Sequence, residues 1–279
     1  MHRRGDMMST ELIMLGTGNA LVTRCYNTCF ALREKEDYFL VDAGGGNGIL
    51  TQMERADIPF ERVRGMFISH AHTDHVLGTI WVIRIIASRM KSGAYEKKFH
   101  IYCHRELEQL VRTFCMELLP GGLTKYFDDR IRFHVIEDGC ELERLGISFR
   151  FFDIGSQKAK QFGFRARLCD GQSLTFLGDE PFHQENLDQA KDSDWLMSEA
   201  FCLYEEKEIF KPYEKFHSTA KDAGSTAEML RAGHLILFHT EDSDLKHRKE
   251  RYTREAATEF SRPVYVPDDL ERIDLYKEA

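Results

Sequence analysis

Short apolar runs that end at polar or glycine-rich turns recur along most of the chain. The first, over residues 12–15, ends at the turn 16–19 and predicts a strand that enters a tight turn. Two more runs, 27–32 and 38–42, flank a charged turn and predict a pair of strands. The pattern predicts further strands over residues 66–69, 100–103, 131–136, 147–152, 163–169, 173–177, 195–198, 235–238, 264–267 and 273–275.

Four segments between these strands have apolar residues at helical spacing. Residues 49–56, 105–118 and 219–232 have the spacing of helices, and residues 76–90 have the character of a buried helix. No proline- or glycine-rich linker divides the chain. We therefore predict one α/β domain over residues 1–279, with two packed sheets and helices outside them.

Composition and charge narrow the class of protein. Of the 279 residues, 42% are hydrophobic and 30% are charged, as in ordinary globular proteins, and the net charge of -8 argues against tight non-specific binding to nucleic acid. Seven cysteines without a CxxC pair favour a reducing compartment over a disulfide framework. The first residues lack the apolar stretch of an export signal, and the apolar run 76–86 is too short to cross a membrane. We therefore expect a cytoplasmic protein with no membrane segment.

A polar cluster follows directly on the predicted strand 66–69 and contains His70, His72, Asp74 and His75. A loop between a strand and a helix can turn several of these side chains toward one point. Imidazole and carboxylate groups suit zinc, and also iron or manganese. The alternative, a solvated histidine-rich turn, is uncommon for this motif at such a junction. The cluster therefore predicts a metal site.

This HxHxDH motif resembles the metallo-β-lactamase superfamily, and further matches follow in chain order. Asp42 ends a strand where that family commonly has an aspartate that supports the metal loop. Asp179 follows the predicted strand 173–177 and is similar to the metal-bridging aspartate, and His239 follows 235–238 and resembles the last metal ligand. The resemblance implies a four-layer αβ/βα sandwich of two mixed sheets flanked by helices. It also implies one or two Zn²⁺ ions, or Mn²⁺ or Fe in their place.

Within the superfamily, the chain is most similar to the ribonuclease Z-like branch. The opening sequence LGTGNA resembles the first strand and turn of that branch, and EAF, which begins at Glu199, resembles its HEAT-like element. HST, which begins at His217, resembles a further element of the branch. The resemblance implies that Glu199 and His217 lie beside the metals and assist cleavage. From the residues alone, Glu199 could equally be a solvated carboxylate, and HST could be a plain helix N-cap.

One departure from the family pattern concerns a metal ligand. The family has a further histidine between the HxHxDH motif and the bridging aspartate, and Gly155 stands at that position here. Asp153 would face the same side of a strand and replace the ligand, or it could be a carboxylate in water. The first metal site, with His70 and His72, is therefore expected to be weak or empty. The second site, as the resemblance implies it, has the full set Asp74, His75, Asp179 and His239.

The other departure is a missing arm. Ribonuclease Z enzymes that process transfer RNA carry a long protruding arm before the bridging aspartate, whereas the sequence here predicts two strands between residues 155 and 179. Together with the net charge of -8, this disfavours transfer RNA and favours a small-molecule or nucleotide-type substrate. Members of this branch often form homodimers, so a homodimer is a further expectation.

These observations predict a metal-dependent hydrolase, with a phosphodiesterase that resembles an arm-less ribonuclease Z as the first candidate. Metal-activated water would attack the substrate. Asp74 would orient that water as well as bind metal, and His217, oriented by Glu199, would stabilise charge or protonate the leaving group. Two alternatives stay open: hydrolysis of a small ester, lactone or thioester, and a binding protein whose degenerate site has no turnover.

Overall fold

The computed structural model describes residues 10–276. Residues 1–9, where we predicted no export signal, and residues 277–279 lie outside the described part of the chain. The strands in chain order are β1 (Thr10–Gly16), β2 (Cys29–Glu34), β3 (Asp37–Val41), β4 (Val63–Phe67), β5 (Phe99–Cys103), β6 (Ile131–Val135), β7 (Glu141–Arg144), β8 (Ile147–Asp153), β9 (Phe162–Arg167), β10 (Ser173–Phe176), β11 (Trp195–Glu199), β12 (His234–Phe238), β13 (Val264–Tyr265) and β14 (Arg272–Leu275).

The helices between these strands range from one turn to five turns in length. In chain order they are α1 (Gly48–Arg55), α2 (Thr73–Lys91), α3 (Arg105–Leu118), α4 (Gly121–Thr124), α5 (Leu187–Ala190), α6 (Lys207–Phe210), α7 (Ala220–Met229) and α8 (Leu245–Ala256). Short 3₁₀ turns cover Phe60–Arg62, Gln184–Asn186, Tyr204–Glu206 and Tyr213–Lys215. Within residues 10–276, no helix is both long and apolar enough to cross a membrane.

Two seven-stranded mixed sheets form the centre of the fold. The first has the order β14-β1-β2-β3-β4-β5-β6, and the second has the order β13-β12-β11-β10-β9-β8-β7. In the first sheet β3, β4, β5 and β6 run parallel, and in the second β10, β11, β12 and β13 do. The carboxyl ends of parallel strands are where open α/β sheets commonly place their binding residues.

Aromatic side chains fill the space between the two sheets. Phe67 of β4 packs edge-on against Phe164 of β9 with ring centroids 5.8 Å apart, and Phe30 of β2 packs against Phe176 of β10 at 5.4 Å. Separate apolar clusters join the outer faces of the sheets to their helices, α1 to α4 on one side and α7 and α8 on the other. The four-layer αβ/βα sandwich that the sequence predicted is therefore confirmed.

Each predicted strand and each of the four predicted helices overlaps an observed one, but the strand β7, the one-turn helices α4, α5 and α6, and the helix α8 were not predicted. The helix α8 carries mostly charged residues, and its buried positions are Arg248, Tyr252 and Ala256. The strand β7 lies at a sheet edge and has no buried residue. Neither segment has an apolar periodicity, which is the signal that sequence-based prediction of secondary structure depends on.

Candidate metal centre

The histidine-rich loop lies between β4 and α2, and Asp42 at the end of β3 fixes its shape. The Asp42 carboxylate accepts hydrogen bonds from the backbone N–H of Ser69 at 2.7 Å and from its hydroxyl at 2.6 Å. The other contact of Asp42 is with Nδ1 of His75 at 2.8 Å. A carboxylate on one imidazole nitrogen sets the tautomer, so the other nitrogen, Nε2, is left as a metal ligand. Through these contacts Asp42 would support the histidine-rich loop, as the resemblance implied.

Imidazoles from both halves of the chain converge on Asp179, which follows β10. Its Oδ2 lies 3.4 Å from Nε2 of His70 and 3.4 Å from Nε2 of His75. The same oxygen lies 3.7 Å from Nε2 of His239 and 4.0 Å from Nδ1 of His72. Asp179 is therefore at the centre of the cluster, as expected of a bridging ligand.

Asp74 completes the second half of the cluster. Its Oδ2 lies 3.4 Å from Nε2 of His75 and 3.3 Å from Nε2 of His239. His239 follows β12 in a left-handed backbone conformation with φ of 60°, and Asp42 has a φ of 55° at the end of β3. Non-glycine residues in this conformation are uncommon and cluster at functional sites. The two strand ends thus carry the backbone irregularity that is typical of such sites.

The donor atoms of this cluster fit a metal. One group consists of His70, His72 and Asp179, and a second consists of Asp74, His75 and His239; within each, the ligand atoms lie within 4.8 Å of one another. In the described residues His75 Nε2, Asp179 Oδ1 and His239 Nδ1 are buried without hydrogen-bond partners. Buried polar atoms are costly unless they are paired or coordinate a metal. The cluster therefore has the arrangement of a metallo-β-lactamase dinuclear site.

The carboxylates of the cluster are ionised. Burial raises the pKa of Asp74, but His75 and His239 outweigh that effect and hold this pKa well below its ordinary value. Burial also raises the pKa of Asp179, and the charges and hydrogen bonds of the neighbouring imidazoles, led by His70, again depress it. Metal ligands of this type must be deprotonated to bind. Both aspartates are thus ready ligands.

The histidines of the cluster differ in the direction in which their pKa is shifted. Burial lowers the pKa of His70 and of His239 below the ordinary value of an imidazole. Burial also lowers the pKa of His75, but Asp74 and Asp42 raise it above its ordinary value. Since the carboxylates around His75 favour a positive charge at that point, a metal cation would take the place of the proton.

Glu199 and His217 lie beside this cluster, as the resemblance implied. Glu199 ends β11 and is fully buried; its Oε1 accepts the backbone N–H of Ser218 at 2.5 Å, and its Oε2 lies 3.5 Å from Nδ1 of His217. The His217 ring is 5.1 Å from the ring of His239. Thr219 caps α7 in a capping box with Asp222. The cap belongs to Thr219, so His217 itself is free to face the site.

Gly155 and Asp153 contribute no ligand to these groups. Asp153 accepts the backbone N–H of Gly155 at 2.9 Å and joins no cluster of donor atoms in the described residues. Gly155 has a φ of +76°, and a Cβ added there would lie 3.5 Å from Oε2 of Glu185 and 4.0 Å from Nδ1 of His183. The group of His70, His72 and Asp179 therefore has three protein ligands, which agrees with a weaker first site.

A histidine at position 155 should strengthen that first site. We expect the Gly155→His variant to hold more metal per chain than Gly155→Ala, because both variants carry the same left-handed backbone strain, about 1–2 kcal/mol, and only one adds a ligand. Elemental analysis after purification without chelator measures the ratio. Equal metal content in the two variants would show that position 155 does not reach the metal.

The centre opens into a cavity of about 420 Å³. Its lining includes side chains that sequence analysis did not name as site residues, although Asn19 and Ala20 lie in LGTGNA and Phe201 lies in EAF. They belong to the loop after β1, to the loop between β8 and β9, and to the segments around β11 and α7. These residues are Asn19, Ala20, Leu21, Lys158, Phe201 and Lys215.

Comparison with known proteins agrees with this geometry. A family model described as "Anti-Pycsar protein Apyc1" matches residues 10–260. The ribonuclease Z of Phocaeicola vulgatus is 24% identical over 279 aligned residues, which cover 84% of this chain and 88% of that protein.

Solved structures show the same fold. The metallo-β-lactamase fold protein YhfI from Bacillus subtilis has a TM-score of 0.78 at 17% identity and covers 95% of this chain and 99% of its own. A diphosphatase from the PhnP family has a TM-score of 0.73 at 17% identity, with 96% and 98% covered. The family model spans most of the chain, and the predicted similarity to ribonuclease Z is confirmed at full length. The chain therefore belongs to the Anti-Pycsar protein Apyc1 family and has the metallo-β-lactamase fold.

Proposed function

We propose that this protein is a phosphodiesterase that hydrolyses small cyclic nucleotides with one or two bound metal ions, zinc being the first candidate. The observation that carries the proposal is the cavity of about 420 Å³ that opens from the His/Asp cluster. Its volume suits a small ligand. Members of the Apyc1 family degrade cyclic nucleotides, which supports the same substrate class.

The lining of the cavity supports an anionic substrate. Lys158 and Lys215 line the cavity, where their positive charges would attract a phosphodiester. Phe201 lines the same space, but its ring is already stacked on the ring of His217 at 4.8 Å and has the ammonium group of Lys215 over it at 4.8 Å. The two lysines favour a phosphodiester over an uncharged ester or lactone.

The region that replaces the ribonuclease Z arm supports a small substrate. Between residues 155 and 179 the chain forms only the antiparallel pair β9 and β10, with Ser173 opposite Arg167 at the turn. No protruding segment is present there to hold a folded RNA. The proposal therefore excludes transfer RNA as the preferred substrate.

The residues of the centre have distinct roles in this proposal. His70, His72, Asp74, His75, Asp179 and His239 would hold the metal. A bound metal supplies Lewis acidity toward a phosphoryl oxygen and lowers the pKa of water. Water adds its oxygen to phosphorus, and the bond from phosphorus to the sugar oxygen breaks.

Protonation of the leaving oxygen falls to His217. Its Nδ1 lies 3.5 Å from Oε2 of Glu199, so that carboxylate would orient the ring. Nε2 then carries the proton that passes to the leaving sugar oxygen. Asp74, held ionised by its histidine neighbours, orients the attacking water in addition to binding metal.

A substrate panel tests the proposal. We expect 3′,5′-cyclic mononucleotides to give linear nucleoside monophosphates, with a kcat/KM at least about a hundredfold above that for p-nitrophenyl esters, lactones and thioesters. Chromatography of the products measures this directly. A preference for esters or lactones would contradict the proposal, and binding without turnover in the metal-loaded protein would indicate a degenerate site.

A further inference from the structure

A lysine enters the candidate site from the loop whose metal-ligand position is occupied by glycine. The loop 154–161 joins β8 and β9, and Gly155 has no side chain to offer. Lys158, three residues later, lines the cavity together with His72, Asp179 and His239. We propose that Lys158 binds the phosphoryl group of the substrate, so that an ammonium group provides positive charge where the loop lacks a ligand. This inference rests on the proposed function, because it concerns the same cavity.

The backbone around Lys158 is held in place by a local turn. The hydroxyl of Ser156 accepts the backbone N–H groups of Lys158 at 3.2 Å and of Ala159 at 3.3 Å, and it donates to Oε1 of Glu180 at 2.6 Å. Glu180 is buried and follows Asp179 directly in the chain. The loop that carries Lys158 is thereby tied to the strand end that carries the central aspartate. A side chain fixed in this way loses little freedom when it binds a ligand.

The ammonium group of Lys158 has two contacts with protein oxygens and a third contact with His217. It donates to the backbone carbonyl of Lys215 at 3.2 Å and lies 3.5 Å from Oε1 of Glu180. A lysine ammonium has three N–H donors and no acceptor. The side chain is 20% exposed and lines the cavity, so the donor that faces His217 can instead bind an oxygen placed there.

The position of His217 indicates where that oxygen would lie. Nζ of Lys158 is 3.5 Å from Nε2 of His217. A contact of this length is at the limit of a hydrogen bond, so an oxygen about 2.9 Å from Nζ would bind the ammonium group more strongly than the imidazole does. A phosphoryl oxygen fits this position, because a phosphodiester is anionic and gains negative charge as water adds.

Lys158 has a different environment from the second lysine of the cavity. The ammonium group of Lys215 lies over the ring of Phe201, 4.8 Å from its centroid. Lys160, on the same loop as Lys158, lies over the ring of Phe162 and is absent from the cavity lining. Lys160 therefore offers a matched control: it has the same charge, on the same loop, and no contact with the site.

Binding of phosphate to the metal-loaded protein tests the proposal without turnover. We expect Lys158→Met to weaken the binding of inorganic phosphate and of adenosine monophosphate about 10- to 100-fold by calorimetry, since it removes a charged hydrogen bond. Metal content per chain should stay at the wild-type value. Lys160→Met should bind both ligands like the wild type, and Lys158→Arg, which keeps the charge, should retain most of the affinity.

The other possible results distinguish a failure of the Lys158 proposal from a failure of the proposed function. Wild-type affinity in Lys158→Met would overturn the proposal, and so would loss of metal, because Lys158 would then act through Glu180 on the centre itself. If Lys158→Met weakens phosphate binding while the wild type hydrolyses no cyclic nucleotide, the proposed function fails and the phosphate site stands. If the wild type hydrolyses cyclic nucleotides and Lys158→Met binds phosphate normally, only the inference about Lys158 fails.

Discussion

Replacement of Asp179 by alanine is expected to lower kcat/KM by about a thousandfold or more and to release metal. Its Oδ2 lies within 4.0 Å of nitrogens from four histidines, and its Oδ1 is buried without a hydrogen-bond partner among the described residues. Oδ2 of Asp179 thus approaches ligands of both groups. Loss of a Lewis acid removes several kcal/mol of transition-state stabilisation, and each 1.36 kcal/mol is about tenfold in rate.

The test measures metal content by elemental analysis and activity by the hydrolysis of bis(p-nitrophenyl) phosphate. Asp153→Ala is the matched control, because Asp153 is from the sequence-predicted ligand set and joins no group of donor atoms in the described residues. Its carboxylate accepts the backbone N–H of Gly155, and its own backbone N–H donates to Oδ1 of Asp138. We expect the control to keep its metal and to change kcat/KM by less than about threefold, since it lies outside the centre. An Asp179→Ala protein with full metal content and full activity would rule out the bridging role.

Replacement of His217 by glutamine is expected to lower kcat for a cyclic nucleotide by about 10²- to 10⁴-fold, the usual contribution of a general acid. The sugar alkoxide that leaves needs a proton, which Nε2 of His217 is placed to donate. The p-nitrophenolate ion, by contrast, leaves without being protonated. The same variant should therefore lose much less activity, about tenfold at most, on bis(p-nitrophenyl) phosphate.

The difference between the activity losses on the two substrates tests whether His217 donates a proton. Equal losses on both would mean that His217 acts on the metal ligands or on the fold instead. His183→Gln is the control, because His183 directly precedes the 3₁₀ turn Gln184–Asn186 and does not line the cavity. We expect that variant to match the wild type on both substrates.

The fold could be predicted because its strands and most of its helices have apolar periodicity. The helix α2, predicted over 76–90, is observed at Thr73–Lys91, and the strand β12, predicted over 235–238, is observed at His234–Phe238. The helix α8 could not be predicted, because its buried Arg248 is a charged residue. Its two terminal nitrogens donate to Thr17, Thr240, Asp268 and the carbonyl of Pro267, all distant in the sequence or in loops.

The candidate ligands could be predicted because they occur at the ends of recognisable strands. His70, Asp179 and His239 each follow a parallel or central strand. A sheet places the ends of such strands close together. Lys158 and Glu180 were not predicted, because a lysine or a glutamate in a loop is usually solvated. Only the observed turn at Ser156 shows that this pair is held at the cavity.

The sequence by itself predicted the two-sheet architecture and the candidate histidine and aspartate ligands, and it determined the glycine at position 155 and the short stretch between residues 155 and 179. These features are local: each depends on residue type and on spacing over a few positions. The tertiary structure decided which carboxylate lies at the centre of the cluster, that Asp153 does not join it, and which lysine enters the cavity. Those outcomes depend on distances between loops from both sheets, and such distances are set by packing that no local pattern encodes.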